Sequence, residues 1–222
     1  MRTVTHTTHL YDYTHKDGTE LELELPHAMS FIMDYKDVLI SSENDRITIG
    51  YLADDGDCDN PLDDDCYMGH IYEARRFGPT LADFNQAMGI DEYGQRFRAR
   101  DPFAVMLDYY EHGQCSYSVA GEGMQCRFDT VKGNVCWVPS DELRVELLAL
   151  PLDQQQARCV ELAKQAATTY TDWRNGNCFG VVVASYDLEG NLIEDDMTCW
   201  GFIGDDYAYA SLKNDYFPQE EK

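Results

Sequence analysis

Residues 179–202 read FGVVVASYDLEGNLIEDDMTCWGF. Two β-prone runs, Phe179 to Tyr186 and Leu192 to Phe202, flank Asp187-Leu188-Glu189-Gly190-Asn191, whose Asp, Gly and Asn are turn formers, so the stretch predicts an antiparallel hairpin. Just upstream, Ala157, Val160, Leu162, Ala163, Ala166, Ala167 and Tyr170 recur at helical spacing. They predict one long helix over about 153–174, stopped by Asn175-Gly176-Asn177. Just downstream, Asp205 and Asp206 begin a short closing helix, whose positive N-terminal end favours acids.

The same two periodicities organise the rest of the chain. Leu21, Leu23 and Leu25 alternate with Glu20, Glu22 and Glu24, the period-two pattern of a strand with one wet face, and Arg46 to Ala53 is a second strand. Leu81 to Met88 predicts a short helix stopped at Gly89, and Ala104 to Tyr110 with Cys115 to Val119 predicts a second hairpin. Val135 to Val138 is a further strand ended by Pro139, after which Ser140 caps a helix running to Leu148. Several strands joined by short turns and one helix long enough for a crossover give an α+β class with a mostly antiparallel sheet. No repeat or Pro-rich linker divides the chain. A single domain over residues 1–222 is expected, and any sub-boundary would fall in the loop 54–66.

Charge is the dominant compositional fact. Against 17 Lys and Arg stand 41 Asp and Glu, a formal net charge of -24. That is far beyond the magnitude of roughly 2–8 that keeps a small domain soluble. Duplexes and anionic membranes would be repelled, so no direct nucleic acid and no membrane is expected, and basic proteins are the natural partners. Hydrophobic residues at 44% and 15 Tyr exclude a disordered acidic tail. The N-terminal Met-Arg-Thr-Val-Thr-His-Thr-Thr-His carries no signal-like apolar run, which predicts a cytoplasmic protein. In that compartment the eight Cys, without Cys-x-x-Cys spacing, read as reduced core thiols.

The acids concentrate in three places. Residues 54–66 hold seven of them, Asp54, Asp55, Asp57, Asp59, Asp63, Asp64 and Asp65, with no basic residue. Asp187, Glu189, Glu194, Asp195 and Asp196 follow in the hairpin, and Asp205 and Asp206 open the last helix. Arg75, Arg76, Arg96, Arg98 and Arg100 reverse the trend locally and would be free to pair with the Asp loop.

Chemical motifs are weak beside this charge. Asp55, Asp57 and Asp59 match positions one, three and five of an EF-hand loop, but Asn60 stands where the invariant Gly belongs and Cys66 where the bidentate Glu belongs. A solvated acidic loop is the better reading. His6, His9 and His15 lack zinc-site spacing. There is no Gly-x-Ser-x-Gly, catalytic-Cys signature or phosphate-cradling glycine loop, and Cys115 beside His112 would be a hairpin accident more often than a dyad. No catalytic residue, metal or cofactor is therefore expected. Trp137, Trp173 and Trp200 could form a base-stacking platform, but the chain's net charge has the wrong sign to attract a backbone, so core or interface aromatics are the better reading.

Three stretches carry a resemblance: Tyr51-Leu-Ala-Asp-Asp-Gly-Asp-Cys-Asp-Asn-Pro-Leu-Asp, then Cys126-Arg-Phe-Asp-Thr with Val135-Cys-Trp-Val-Pro, and Cys199-Trp-Gly-Phe-Ile-Gly. Together they resemble a group of acidic proteins carried by phages and conjugative plasmids. The resemblance spans most of the chain beyond residue 45 and implies a genetic context, with no activity, fold or catalytic residue to carry over. Mobile elements must survive restriction enzymes and CRISPR complexes, which points to an anti-defence role.

Duplex DNA carries one charge per about 1.7 Å of axis, so 24 charges correspond to about 40 Å of duplex. A compact chain of 222 residues has a radius of gyration of about 17 Å and a similar span. The expectation is a non-enzymatic inhibitor whose acids occupy the channel of a basic, nucleic-acid-binding host protein or complex. A divalent-cation-binding accessory protein or enzyme using the Asp loop, and a plain interaction module gripping through aromatics, are the rivals.

Overall fold

The computed structural model describes residues 9–33, 37–43, 45–63, 67–75 and 78–217, and only the backbone of 194–197. The chain forms two compact units, one from residues 1–59 with 176–222 and the other from residues 60–175. The first passage between them lies inside the Asp-rich loop, at Asp59–Asn60. The fold is α+β with antiparallel sheets, one long helix and a short C-terminal helix.

In the first unit, β1 (His9–Thr14) and β2 (Glu20–Leu25) form a hairpin, and β3 (Leu39–Glu43) and β4 (Arg46–Asp54) belong to a four-stranded sheet. That sheet is completed by β9 (Cys178–Tyr186) and β10 (Leu192–Ile203), in the order β10-β9-β4-β3. All nine residues of β9 are buried, because both faces of the sheet are covered. On one face Ile47, Ile49, Tyr51, Val182 and Tyr186 pack with Leu23 and Leu25, the apolar side of the alternating Leu-Glu strand. On the other, Leu52, Val181 and Val183 meet Ala208 and Leu212. Those two belong to α4 (Asp205–Ser211) and the π-helical turn Leu212–Tyr216 that continues it. The histidine-bearing N-terminal segment was not predicted as a strand; Leu10 and Tyr13 pair with Glu24 and Leu21 across the β1–β2 hairpin.

The second unit has a sheet of order β5-β8-β6-β7. It is built from β5 (His70–Glu73), β6 (Val105–His112), β7 (Gln114–Val119) and β8 (Thr130–Val138). One face is covered by α2 (Asp141–Ala149) and α3 (Leu152–Arg174), and the other by α1 (Leu81–Met88). Ser140 accepts a hydrogen bond from the Leu143 N–H and so starts α2 as predicted. Along α3 the inward positions are Cys159, Ala163, Ala166 and Ala167, small residues that bring the helix close to the strands. Trp137 fills the centre of this layer, fully buried, with Nε1 donating to the Met68 carbonyl at 2.9 Å. Among the described residues no helix is long and apolar enough to cross a membrane.

Candidate functional site

Asp54 ends β4 opposite Phe179, where the sheet runs out and the chain must turn. Asp55 builds that turn. Its N–H donates to the Cys178 carbonyl at 2.8 Å, its Oδ1 accepts from the Asp57 N–H at 3.1 Å, and its Oδ2 accepts from the Gly201 N–H at 3.0 Å. The loop is thereby tied to the end of β10. Asp54, Asp55, Asp57 and Asp59 line an open hollow of about 550 Å³ whose remaining walls include Trp200 and Gly201. The indole is held in place by Gly180, where a Cβ would lie 2.3 Å from Trp200 Cε3, and by an edge-to-face contact with His27 at 5.0 Å. Gly180→Ala should therefore displace Trp200, which is 42% exposed and has room to move outward, at a cost of about 1 kcal/mol. A changed Trp200 indole N–H resonance with a melting temperature lowered by only about 2–4 °C is the expected result.

Asp205 and Asp206 are exposed and start α4 directly after the Ile203–Cys178 pair, so they stand at the same end of the sheet as Asp54 and Asp55. Asp187 and Glu189 stand at the opposite end, in the β9–β10 turn. Asp187 is largely spent on that turn. Its Oδ1 accepts from the N–H groups of Glu189 and Asn191 at 2.9 and 2.8 Å, and its Oδ2 from the Asn191 side chain at 2.9 Å. Those bonds, first the Asn191 side chain and then its N–H, hold the Asp187 carboxyl below the usual carboxylate range. The nine residues of β9 separate the two acidic ends by about 26 Å at roughly 3.3 Å per residue. Glu194, Asp195 and Asp196 lie between them on β10, an edge strand. Asp63 belongs to the other unit and accepts from the Asn60 side chain at 2.8 Å, and Asp64 and Asp65 lie outside the described residues.

Three of the five arginines set against the acidic loop, Arg75, Arg98 and Arg100, bond elsewhere, and Arg76 lies outside the described residues. Arg75 pairs with Glu73 at 2.5 Å, and Arg98 and Arg100 donate to the carbonyls of Gln86 and Ala104 at 2.6 and 2.7 Å. Among the described residues no group of three His, Cys, Asp or Glu is arranged to hold a metal ion. Both Asp55 oxygens, at the first position of the partial EF-hand match, are engaged by main-chain N–H groups. Burial pushes the Cys58 thiol up, and Asp55 and Asp59 add to the effect over the opposing bond from Cys178, so the loop does not present an activated thiolate.

Sequence reasoning missed a polar network in the second unit. Tyr117 donates to Glu73 Oε1 at 2.5 Å and Tyr109 to Glu111 Oε2 at 2.6 Å. The Arg75 guanidinium lies 5.2 Å from the centre of the Tyr109 ring, and Tyr117 packs against Tyr109 and Tyr170 at 4.9 and 5.0 Å. Burial first, then the neighbouring carboxylates, raise both phenols, with Tyr109 pushed up to about 12. They remain protonated donors to carboxylates, a structural role. The sequence signal was the pair of tyrosines at facing register positions of the β6–β7 hairpin; Glu73 could not be joined to them without knowing that β5 exists. Cys115 and His112, read as an accidental pairing across the hairpin, are held by different partners. Cys115 exchanges main-chain bonds with the Asn175 side chain at 2.9 and 2.8 Å, while His112 Nδ1 lies 3.7 Å from Asp129 Oδ2. That same oxygen accepts from the Cys126 thiol at 3.0 Å.

The fold and site thus define an acidic α+β protein with carboxylates at two ends of one sheet and a Trp-walled hollow at one of them. Compared with known protein families, with curated proteins and with solved structures, the chain matches none of them.

Proposed function

We propose that this protein is an acidic inhibitor of a host nucleic-acid-binding defence complex, of the CRISPR or restriction type, which it enters by occupying a cationic channel in place of DNA or RNA. The observation that carries this reading is the spread of acids along one sheet. Asp187 and Glu189 lie at one end, Asp54, Asp55, Asp57, Asp59, Asp205 and Asp206 at the other, and Glu194, Asp195 and Asp196 on the edge strand between them. A run of about 26 Å suits a groove that tracks a phosphate backbone better than a point cation site would. Trp200 beside the acids adds an aromatic anchor of the kind that arginine side chains stack upon. The resemblance to proteins of mobile elements supplies the context in which such an inhibitor is useful, with the host cytoplasm as its place of action.

The test is capture from host lysate on the immobilised protein, with washes of rising salt and with duplex DNA as competitor. Retention is expected to fall by about 10³-fold between roughly 50 and 200 mM salt, as the release of several counterions requires, and DNA is expected to displace the partner. A variant with Asp57, Asp59, Glu189, Asp205 and Asp206 changed to their amides, leaving the turn-building Asp55 and Asp187 intact, should lose retention while keeping its melting temperature. Salt-independent retention, or full retention by that variant, would rule the reading out.

A further inference from the structure

The second unit contains a cavity of about 750 Å³, within the range of small-molecule sites, between α1, the start of α2 and the segment 98–102. Its rim is rigid. The Asp101 N–H donates to the Ala87 carbonyl at 2.8 Å and the Phe97 N–H to the Gly89 carbonyl at 2.9 Å. At Gly89, with φ of 67°, an added Cβ would lie 2.5 Å from the Arg98 carbonyl oxygen, so the segment crosses the helix end at closest approach. Arg144 is clamped by Asp101 through both carboxylate oxygens, at 3.2 and 2.7 Å.

Arg98 and Arg100 differ from Arg144. In a chain with 41 acids, each donates a hydrogen bond to a neutral backbone carbonyl, and among the described residues neither forms a salt bridge, the charge of Asp101 reaching Arg100 only from beyond contact while its oxygens stay on Arg144. A guanidinium has five N–H donors, so both keep most of their capacity for a carboxylate or phosphate. Asp83, Asp141 and Glu142 line the same cavity, and a carboxylate can only accept hydrogen bonds. A bare polyanion would meet them unfavourably, whereas an anion that also carries hydroxyl or amino groups would satisfy both sets.

We infer that this cavity binds a small organic anion bearing donor groups, its phosphate or carboxylate held by Arg98 and Arg100 and its donors taken by Asp83, Asp141 and Glu142. The site is independent of the acidic sheet edge in the other unit. Titration calorimetry of the full chain with adenosine monophosphate, L-glutamate and inorganic phosphate tests it. At least one organic probe is expected to bind with a Kd below about 1 mM, more tightly than phosphate, and to weaken about tenfold or more in the Arg98→Ala/Arg100→Ala variant. Arg98→Lys/Arg100→Lys, which keeps charge but loses the fork, should fall between, and Arg127→Ala, outside the cavity, should bind as the native chain does. Circular dichroism of each variant separates lost binding from lost folding. No binding of either organic probe at about 10 mM, binding that survives removal of both arginines in a folded variant, or phosphate matching the organic probes would overturn the inference.

Discussion

Trp137→Ala is expected to destabilise the second unit by about 3–5 kcal/mol, the range for truncating a buried aromatic in a core that cannot collapse around the void. Trp137 is fully buried among Ile71, Val105, Leu143 and Leu147, at the layer where α2 and α3 lie on the sheet. Removing the indole also leaves the Met68 carbonyl without the donor that Nε1 supplies at 2.9 Å. Small neighbours make relaxation hard. Cys159, Ala163, Ala166 and Ala167 are already close-packed and have no longer side chain to swing into the space. Trp137→Phe would keep most of the volume and lose the hydrogen bond, so it should cost less than half as much. Urea denaturation followed by far-UV circular dichroism measures both, and an alanine variant as stable as the native chain would show that the layer is not packed as described.

The second large effect is at Tyr51, fully buried in the first unit. Its hydroxyl donates to the His27 carbonyl at 2.9 Å and accepts from the His27 N–H at 3.2 Å, which fixes the segment after β2 to the sheet. Tyr51→Phe strips both His27 groups of a partner and should cost about 1–3 kcal/mol, while Tyr51→Ala adds a cavity and should cost about 3–5 kcal/mol. Burial raises the Tyr51 phenol well above the ordinary tyrosine range. The protonated form is therefore the one the native state favours: its contribution is complete below the unfolded value of about 10 and is lost as pH rises through the folded value. Alkaline unfolding should begin above about pH 10, and in Tyr51→Phe the part of that pH dependence due to this group should vanish. Melting curves at stepped pH check it.

Local patterning read most of the fold correctly. The hairpin at 179–202, the helix at 152–174, the Ser140 cap and the Gly89 stop all follow from periodicity and turn chemistry, which depend on near neighbours alone. The strands β1, β3 and β5 were not read, because they are short and polar: His9–Thr14, Leu39–Glu43 and His70–Glu73 each show little apolar alternation and are stabilised by a neighbour strand instead. The acids were legible as composition and their roles were not. Asp55 and Asp187 look like any other loop aspartate, yet each accepts main-chain N–H groups that hold its turn. Asp57, Asp59, Asp205 and Asp206 are exposed, and nothing in their spacing distinguishes them from those two.

Net charge and class of fold were present in the chain as written, since one is a sum over residues and the other a pattern over a few turns of chain. The division of the carboxylates between two ends of one sheet, the seating of Trp200 over Gly180, and the company kept by Arg98 and Arg100 came only with the fold. These depend on which strands pair and on which groups distant in the chain come within bonding distance, as the Gly201 N–H does with Asp55. Short-range periodicity does not encode those pairings; packing selects them for the whole chain at once.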